Sequence, residues 1–395
     1  RSQESKDRNN FPIPACIGCP GIGKTRFLIE SLSYPHHSVQ HNFTNYCHIL
    51  VTFNNGKDPT TSEISMGAEK SIAVRLLYRY FIETSDTQKI NLKQLFAMLE
   101  NRKVTLVEVL TLIRLDIIKQ RKLDKNAMVH LAIGVDEFNK LMDLDTERSS
   151  IVFLKNLVTL LGNTVISPPN NMKLFLIFAG TARTNFKMVM LESSFTLESL
   201  PLKLLQMSAM LQIVQQATGW QNVESNIYLN NLLVDIGGQP RHLETLVTLL
   251  LENSTPLDQI DWIQVANRLR RKILANLTLE LEVYEMIVRD VIQQKSIFAV
   301  EKVCPPLHYT YSGLERMGVI LLEPTKDGKF NVRWPHLFLL DLITTSNYDT
   351  TSTLKKLICS VCCNDDGSGF WWQNFEMFCA RFLALKIASF AGEEN

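Results

Sequence analysis

The sequence has little net charge and no long hydrophobic run. Its 41 lysines and arginines nearly match its 40 aspartates and glutamates, so the formal net charge is only +1. This balance excludes a general electrostatic attraction to nucleic acid or to an anionic membrane, and any such contact must be local. No stretch approaches the eighteen or more consecutive apolar residues of a typical membrane-spanning helix, which predicts a chain without a membrane partner.

Cysteine is too sparse for a disulfide framework. Eight cysteines in 395 residues indicate mostly reduced thiols. Cys16 and Cys19 have Cys-x-x-Cys spacing, but they lie in a glycine-rich loop where a metal would compete with another ligand. Cys359 and Cys362 have the same spacing, without the histidine or second pair that a zinc finger needs. We therefore favour no zinc site at either place.

The composition is that of a globular protein. Hydrophobic residues make up 46% of the chain, which excludes general disorder, and the length predicts two or three domains. The chain begins at Arg1 and its first ten residues are polar. This start indicates a piece of a longer chain, so the lack of a targeting signal excludes no compartment.

Residues 15–25 read Ala-Cys-Ile-Gly-Cys-Pro-Gly-Ile-Gly-Lys-Thr and fill every fixed position of the phosphate-binding loop (Walker A) pattern. Its glycines let the backbone curl so that successive N–H groups converge on phosphate oxygens where a helix begins. In this interpretation Lys24 reaches the β- and γ-phosphates and the Thr25 hydroxyl binds Mg²⁺. The alternative is a glycine-rich turn that fits by chance. The predicted nucleotide-binding residues are Gly18, Pro20, Gly21, Ile22, Gly23, Lys24, Thr25 and Arg26.

An acidic pair, Asp136 and Glu137, follows the nearly uninterrupted apolar stretch 128–135. A strand buried on both faces of a parallel sheet has this pattern. The pair matches the second half (Walker B) of a phosphate-loop NTPase, in which Asp136 holds the Mg²⁺ shell and Glu137 orients and deprotonates the attacking water. The alternative is a pair of solvated residues at a strand end or a helix cap.

Three further polar residues are candidates for sensing the γ-phosphate. Thr181 follows the next apolar strand, where NTPases with an additional strand carry a polar residue, although a plain turn hydroxyl is equally compatible. Arg183 is either a cation near the phosphates or a solvated loop residue. Arg241 follows Gly238-Gln239-Pro240 at a predicted helix start, where a cation would stabilise the transferring phosphoryl group. Its alternative is a surface arginine on a proline-started helix.

The pattern of strands and helices predicts a parallel α/β sheet, then helices, then a winged helix. We expect a polar leader over 1–11, a P-loop NTPase core of the additional-strand, AAA/STAND-like type over 12–202, and a helical lid over 203–278. A winged-helix-like domain follows over 279–343, with two strands joined by an Asp-Gly turn. The polar stretch 344–353 is a predicted linker, and 354–395 is predicted to be helical.

Basic residues are too thinly spread to indicate a specific nucleic-acid-binding site. Arg316, Lys326, Lys329 and Arg333 are the cations of the winged-helix candidate. Winged helices in multidomain ATPases often serve as packing modules, and the denser run 268–272 has the pattern of a solvated helix face. DNA therefore stays a candidate partner, as does a second copy of the chain whose arginine would complete the site.

Several short sequence segments resemble the NTPase module of Crinkler-type effectors and of the related retrotransposon hot spot proteins. They are residues 18–28, 51–56, 76–81, 135–141, 238–241 and 314–318. The resemblance implies an ATPase core, a winged helix and a restriction-endonuclease-like domain, in proteins delivered into host cells and nuclei. Trp372-x-x-Phe375-Glu376 is similar to the opening of that nuclease region, but the Pro-Asp…Asp/Glu-x-Lys metal site does not occur before Asn395. The N-terminal segment that is typical of the delivered proteins is also missing from this sequence. We expect no nuclease activity from this stretch.

Together these motifs predict a Mg²⁺-dependent ATPase that hydrolyses ATP by in-line attack of water. One alternative is a nucleotide-dependent switch, in which binding rather than turnover regulates a partner. Another is a DNA-binding module whose NTPase is incidental. The motifs leave the choice between ATP and GTP open.

Overall fold

In the computed structural model of the chain, the described residues are 8–37, 45–83, 90–143, 147–181, 186, 189–190, 192–253, 256–275, 279–303, 308–325, 327–335 and 383–384. The chain divides into two units. The first consists of Arg1–Gly18 with Gly23–Leu202, and the second of Cys19–Ile22 with Lys203–Asn395. The tip of the predicted phosphate loop therefore belongs to the second unit, while the residues on either side of it belong to the first.

A five-stranded parallel sheet forms the centre of the first unit. Its strands are β1 (Ile13–Ile17), β2 (Tyr46–Thr52), β3 (Val129–Asp136), β4 (Met172–Gly180) and β5 (Leu197–Ser199). They lie in the order β2-β3-β4-β1-β5. In this register Thr52 pairs with Asp136 and Asp136 with Ala179, so the carboxyl ends of β2, β3 and β4 meet at one edge. The predicted parallel α/β sheet is confirmed.

Helices cover both faces of this sheet. They are α1 (Lys24–His37), α2 (Thr61–Met66), α3 (Ala68–Leu77), α4 (Leu92–Leu99), α5 (Leu106–Arg121) and α6 (Glu147–Ile166), and a π-helical turn, Tyr78–Ile82, continues α3. Side chains of a strand point alternately to the two faces. Leu131 and Ile133 of β3 therefore join the large core that includes α3, α5 and α6, while Ala132 packs with Leu28 and Leu32 of α1.

Local hydrogen bonds explain where two of these helices begin. Asn91 and Gln94 form a capping box at the start of α4, and Thr105 and Glu108 form one at the start of α5. Each box satisfies backbone N–H groups that have no partner within the first turn of a helix. The sequence predicts helices over about 92–99 and 106–120, and both begin at the predicted residues, Leu92 and Leu106.

Helix α6 is longer than the sequence predicted. The sequence predicts a helix over 149–161 and a turn-rich stretch over 163–171, but α6 continues to Ile166, because Val165 and Ile166 still pack against the core. Its segment Ser149–Ile166 is also the one helix in the described part of the chain with the length and apolar composition to cross a membrane. A core helix of a soluble protein passes the same test, and Leu157 of this helix is fully buried.

The second unit continues with helices over the stretch predicted to be helical. They are α7 (Met207–Thr218), α8 (Ile227–Asp235), α9 (Pro240–Asn253) and α10 (Trp262–Leu274). Their buried side chains form one cluster, to which Val214, Leu233, Leu246 and Leu269 contribute. No strand occurs among the described residues between 203 and 275.

The second unit then changes to mixed structure with its own core. Its elements are α11 (Leu281–Gln293), β6 (Ser296–Ile297), α12 (Tyr311–Met317), β7 (Leu321–Pro324) and β8 (Phe330–Arg333). The strands form an antiparallel sheet in the order β6-β8-β7. The predicted Asp-Gly turn joins β7 to β8, with Gly328 at φ +79°. The two-residue strand β6 was not predicted, and the winged-helix assignment stays a prediction.

Other predictions fall outside the described residues. They concern Arg183, Lys326, the linker over 344–353, the cysteines from Cys359 onwards and the helical segment predicted over 354–395, of which only residues 383–384 are described, as helix.

Candidate nucleotide site

The loop that follows β1 turns sharply into α1. The N–H of Gly18 donates to the carbonyl of Gly180 on β4 at 3.3 Å, which fixes the start of the loop to the sheet. Gly23 has φ +95° just before α1 begins at Lys24. Such a positive φ is accessible to glycine without a steric penalty. The loop therefore has the strand, glycine turn and helix that the motif requires.

The ammonium group of Lys24 points back into the loop. Lys24 is buried, and its Nζ donates a hydrogen bond to the carbonyl oxygen of Gly18 at 3.0 Å. A buried cation needs compensation by negative charge or dipoles. Phosphate oxygens brought to this loop would compensate the charge more strongly than a carbonyl dipole does, so the position of Lys24 suits an anionic ligand.

Thr25 and Asp136 come together although 111 positions separate them in the chain. The Thr25 Oγ1 donates to Asp136 Oδ2 at 2.8 Å, while the N–H of Glu137 donates to Asp136 Oδ1 at 3.0 Å. Only 3% of Asp136 is exposed. Burial raises the pKa of its carboxyl group, and the hydrogen bond from Thr25 acts in the opposite direction. The structure thus joins the two predicted metal ligands.

This pair fits a magnesium ion chemically. Mg²⁺ prefers hard oxygen ligands and usually takes only one or two carboxylates from the protein, with waters and substrate phosphates filling the other positions. The Thr25 hydroxyl and the buried Asp136 carboxylate, which are in direct contact, are oxygen ligands of that kind. Cys16, Cys19 and Cys47 form no disulfide, and no group of three or more His, Cys, Asp or Glu side chains suited to a metal occurs among the described residues.

Gly134 sets the spacing between α1 and β3. A Cβ atom at this position would lie 2.7 Å from Leu32 Cδ1 and 3.1 Å from Leu28 Cγ, both on α1. Only glycine lets the helix approach the strand this closely without rearrangement. Because α1 begins with the phosphate-loop residues and β3 ends in Asp136, this close approach brings Thr25 to Asp136. The sequence analysis gave no role to Gly134.

Glu137 follows Asp136 in an unusual backbone conformation. It is half-buried and has φ +54°, in the left-handed region that costs a non-glycine residue of this kind about 1 kcal/mol. Its carbonyl accepts the N–H of Lys140 at 2.9 Å, which starts a short 3₁₀ helix over Phe138–Asp143. The strained turn ends the strand immediately after Asp136 and carries the carboxylate of Glu137 at the same sheet edge.

Thr181 is held at this edge by a residue that the sequence analysis missed. The side-chain oxygen of Asn139 accepts the backbone N–H of Thr181 at 3.0 Å, and both residues are buried. The ring of Phe138 packs beside Phe178 and against Gly180. These contacts join the segment after β3 to the end of β4. A single asparagine has no sequence signal that could have revealed this role.

Arg241 lies at the start of α9, as predicted, and contacts the tip of the phosphate loop within the second unit. Its N–H donates to the carbonyl of Gly21 at 3.1 Å. A Cβ on Gly21, which has φ +79°, would lie 2.7 Å from Arg241 Cβ and 3.1 Å from its Cδ. The arginine side chain therefore lies along the glycine backbone. Arg26, in contrast, forms an ion pair with Glu30 on the exposed face of α1.

Three of the basic residues considered for nucleic-acid contact form ion pairs. Arg333 pairs with Glu323 at 2.8 Å. Arg268 and Lys272 of α10 both pair with Glu252 of α9. These pairs reduce the positive charge available to a duplex.

The strand order and the two motifs define a class of fold. The phosphate loop follows β1, the acidic pair ends β3, and β4 lies between these strands. A parallel sheet with a strand inserted between the two motif strands is the additional-strand type of P-loop NTPase fold. The predicted P-loop NTPase sheet is confirmed, and the winged helix stays a prediction.

Comparisons with known proteins find only solved structures of low similarity. No protein-family model matches the chain, and neither does any curated protein. A Walker-type ATPase of Pyrococcus abyssi is a similar solved structure, with 16% identity over 85% of this chain and 94% of that chain and a TM-score of 0.48. The ORC2 protein of Aeropyrum pernix, in ADPNP-ADP complexes, has 14% identity over 82% and 84% and a TM-score of 0.46. Cdc6p of Pyrobaculum aerophilum has 10% identity over 85% and 88% and a TM-score of 0.37. Likenesses this distant do not assign a function.

Proposed function

We propose that the chain binds ATP with Mg²⁺ at the phosphate loop and hydrolyses it. The observation that carries the proposal is the 2.8 Å hydrogen bond between Thr25 and Asp136, next to a buried Lys24 that donates to a loop carbonyl. Two oxygen ligands and one cation at a helix N-terminus are the groups that a metal–triphosphate requires.

Each residue has a distinct role in this proposal. Lys24 exchanges the Gly18 carbonyl for β- and γ-phosphate oxygens, which bind its charge more strongly. Thr25 and Asp136 would hold the ion, which would neutralise charge on the phosphates. Burial of Asp136 lowers the dielectric constant around its carboxylate, so its attraction to a bound cation would be stronger there.

Glu137 orients the attacking water and accepts its proton. Its position directly after the metal ligand supports this role, because the water must approach the γ-phosphate in line with the bond that breaks. Thr181 and Arg241 respond to the γ-phosphate, Thr181 through its hydroxyl and Arg241 through its charge. The contact of Arg241 with Gly21 supports a role near the loop.

A phosphate-release assay tests the proposal. Lys24→Ala should abolish measurable ATP binding and phosphate release. Lys93→Ala, a matched change on the exposed face of α4, should leave both unchanged. The assay should compare ATP with GTP, each with and without duplex DNA. Equal rates for wild type and Lys24→Ala would refute the proposal.

A nucleotide-dependent switch is the second candidate function. The tip Cys19–Ile22 belongs to the second unit, and Arg241 donates to Gly21, so an occupied loop would alter the contacts of that unit. Tight nucleotide binding with no steady-state phosphate release would favour the switch over the hydrolase.

Three finer expectations stay predictions. They are the Crinkler-type family with its delivery into host nuclei, a DNA partner, and a homo-oligomer whose arginine completes the site. If the Lys24→Ala variant still bound duplex DNA in a salt-dependent way without nucleotide, that result would support the DNA-binding hypothesis. The ion pairs of Arg333, Arg268 and Lys272 weigh against it.

A further inference from the structure

The turn before α9 is held in one conformation by its own backbone. Gly237 and Gly238 have φ +63° and +76°, and the carbonyl of Gly238 accepts the N–H of Leu205 at 2.8 Å. The next residue, Gln239, has its carbonyl bonded to the N–H of Leu243 in the first turn of α9. The side chain of Gln239 therefore starts from a fixed backbone.

This turn makes two hydrogen bonds to successive carbonyl groups of the loop tip. The Nε2 of Gln239 donates to the carbonyl of Pro20 at 2.9 Å, and the backbone N–H of Arg241 donates to the carbonyl of Gly21 at 3.1 Å. Only 5% of Gln239 is exposed. The side chain is therefore buried while the bond itself is part-buried, and a Pro20 carbonyl that lost this donor would lose the stabilisation of one hydrogen bond.

Because peptides are planar, these two hydrogen bonds also set the directions of two N–H groups in the loop. In a trans peptide the C=O and the following N–H lie in one plane and point in opposite directions. A donor on the Pro20 carbonyl thus fixes the direction of the Gly21 N–H, and a donor on the Gly21 carbonyl fixes that of the Ile22 N–H. Both N–H groups are turned away from the donors that hold the carbonyls.

We propose that Gln239 is a positioning residue for phosphate recognition, which orients the peptide between Pro20 and Gly21 so that its N–H is preset for a phosphate oxygen. The inference rests on the proposed function, because it assumes that the loop binds nucleotide. Without the Gln239 donor this peptide can rotate, and the loop must then order its N–H groups when the ligand arrives. Preorganised donors bind more tightly than donors that must be ordered on binding.

Two nearly isosteric substitutions separate hydrogen bonding from packing. Gln239→Met keeps the length of the side chain but has no donor, and Gln239→Glu keeps its shape but only accepts while it is ionised. Gln216→Met on α7 is the matched control, because Gln216 is exposed. Calorimetric titration with MgADP and with a non-hydrolysable MgATP analogue measures the affinity, and thermal unfolding without nucleotide measures the stability.

The expected result is a loss of affinity of about tenfold in both Gln239 variants, as for the loss of one hydrogen bond, with no change in Gln216→Met. Acidification should then restore affinity in Gln239→Glu relative to wild type at the same pH, because the protonated carboxyl can donate again. Gln239→Met should not recover. Wild type has the same neighbours, Arg241 and His242, so their effects cancel in the comparison.

Other outcomes overturn the inference. Equal affinity in wild type and both variants would show that the Pro20 carbonyl needs no donor for phosphate binding. A loss confined to Gln239→Met, together with a lower unfolding temperature, would assign packing instead. If wild type binds neither nucleotide, the proposed function fails and this inference fails with it. If wild type binds and Lys24→Ala does not, only the role of Gln239 is in question.

Discussion

Replacing Arg75 by methionine tests whether a buried ion pair supports the sheet edge at Asp136. Arg75 and Glu63 are 2% and 1% exposed. The guanidinium donates to both carboxylate oxygens of Glu63, at 2.6 and 2.7 Å. It also donates to the carbonyls of Thr52 and Lys57, each at 2.9 Å. Thr52 pairs with Asp136 in the sheet, so Arg75 holds the end of β2 beside that carboxylate.

The expected loss of stability follows from what the substitution leaves behind. Arg75→Met deletes the cation and leaves the Glu63 carboxylate buried without its charge partner. Removing one partner of a buried pair lowers the free energy of unfolding by about 3–5 kcal/mol, which is a factor of roughly 150–5,000 in the unfolding equilibrium. Replacing Arg75 and Glu63 together by methionine should cost much less, because no uncompensated charge remains.

Urea unfolding followed by circular dichroism measures this difference, and hydrogen exchange of residues 46–52 and 129–136 assigns it to the first unit. Arg79→Met is the matched control from the turn that follows α3, because Arg79 is 40% exposed where it pairs with Glu83. An exposed pair of this kind contributes at most about 1 kcal/mol. Equal losses for Arg75→Met and Arg79→Met, or a double variant less stable than Arg75→Met, would refute the reasoning.

Three further predictions concern catalysis, spacing and pH. Glu137→Gln should slow phosphate release by about 100-fold or more with little change in ATP affinity, as loss of a general base does; an unaltered rate would remove Glu137 from that role. Gly134→Ala should weaken MgADP binding and lower the free energy of unfolding by about 1–3 kcal/mol, because the added Cβ would lie 2.7 Å from Leu32. Calorimetry measures the first effect and urea unfolding the second. An unchanged affinity would mean that nucleotide binding does not depend on the spacing of α1 from β3. Burial raises the pKa of the Asp290 carboxyl above its ordinary value of 3.8. The folded state therefore keeps this proton at a pH where the unfolded state has lost it, and stability falls as pH rises from about 4 through the raised pKa; Asp290→Asn should flatten that part of the pH profile measured by urea unfolding, and an unchanged slope would contradict the assignment.

The parts of the fold that the sequence predicted depend on local or periodic signals. The phosphate loop is a continuous stretch with fixed glycines, and β3 is a long apolar run that ends in two carboxylates, so both could be recognised without knowing their neighbours. The start of α5 was predictable because its capping residues, Thr105 and Glu108, are close in sequence.

Other features depend on contacts between distant residues. Helix α6 passes through Asn163 to Ile166 because tertiary packing outweighs the turn signal. Asn139 acts on Thr181 only because β4 ends beside the segment after β3. The role of Gly134 likewise depends on the approach of α1, which no pattern in the sequence indicates. Each of these misses concerns a residue whose partner is set by the fold.

The distance in sequence between Pro20 and Gln239 has a consequence in time. The two residues are 219 positions apart, and ribosomes add about 5–20 residues per second, so the donor is made roughly 10–45 s after the acceptor. During that interval a nascent chain already has Lys24 and Thr25, and soon Asp136, but no turn to set the peptide after Pro20. We expect a ribosome-bound chain arrested before Gln239 to bind nucleotide more weakly than the released protein.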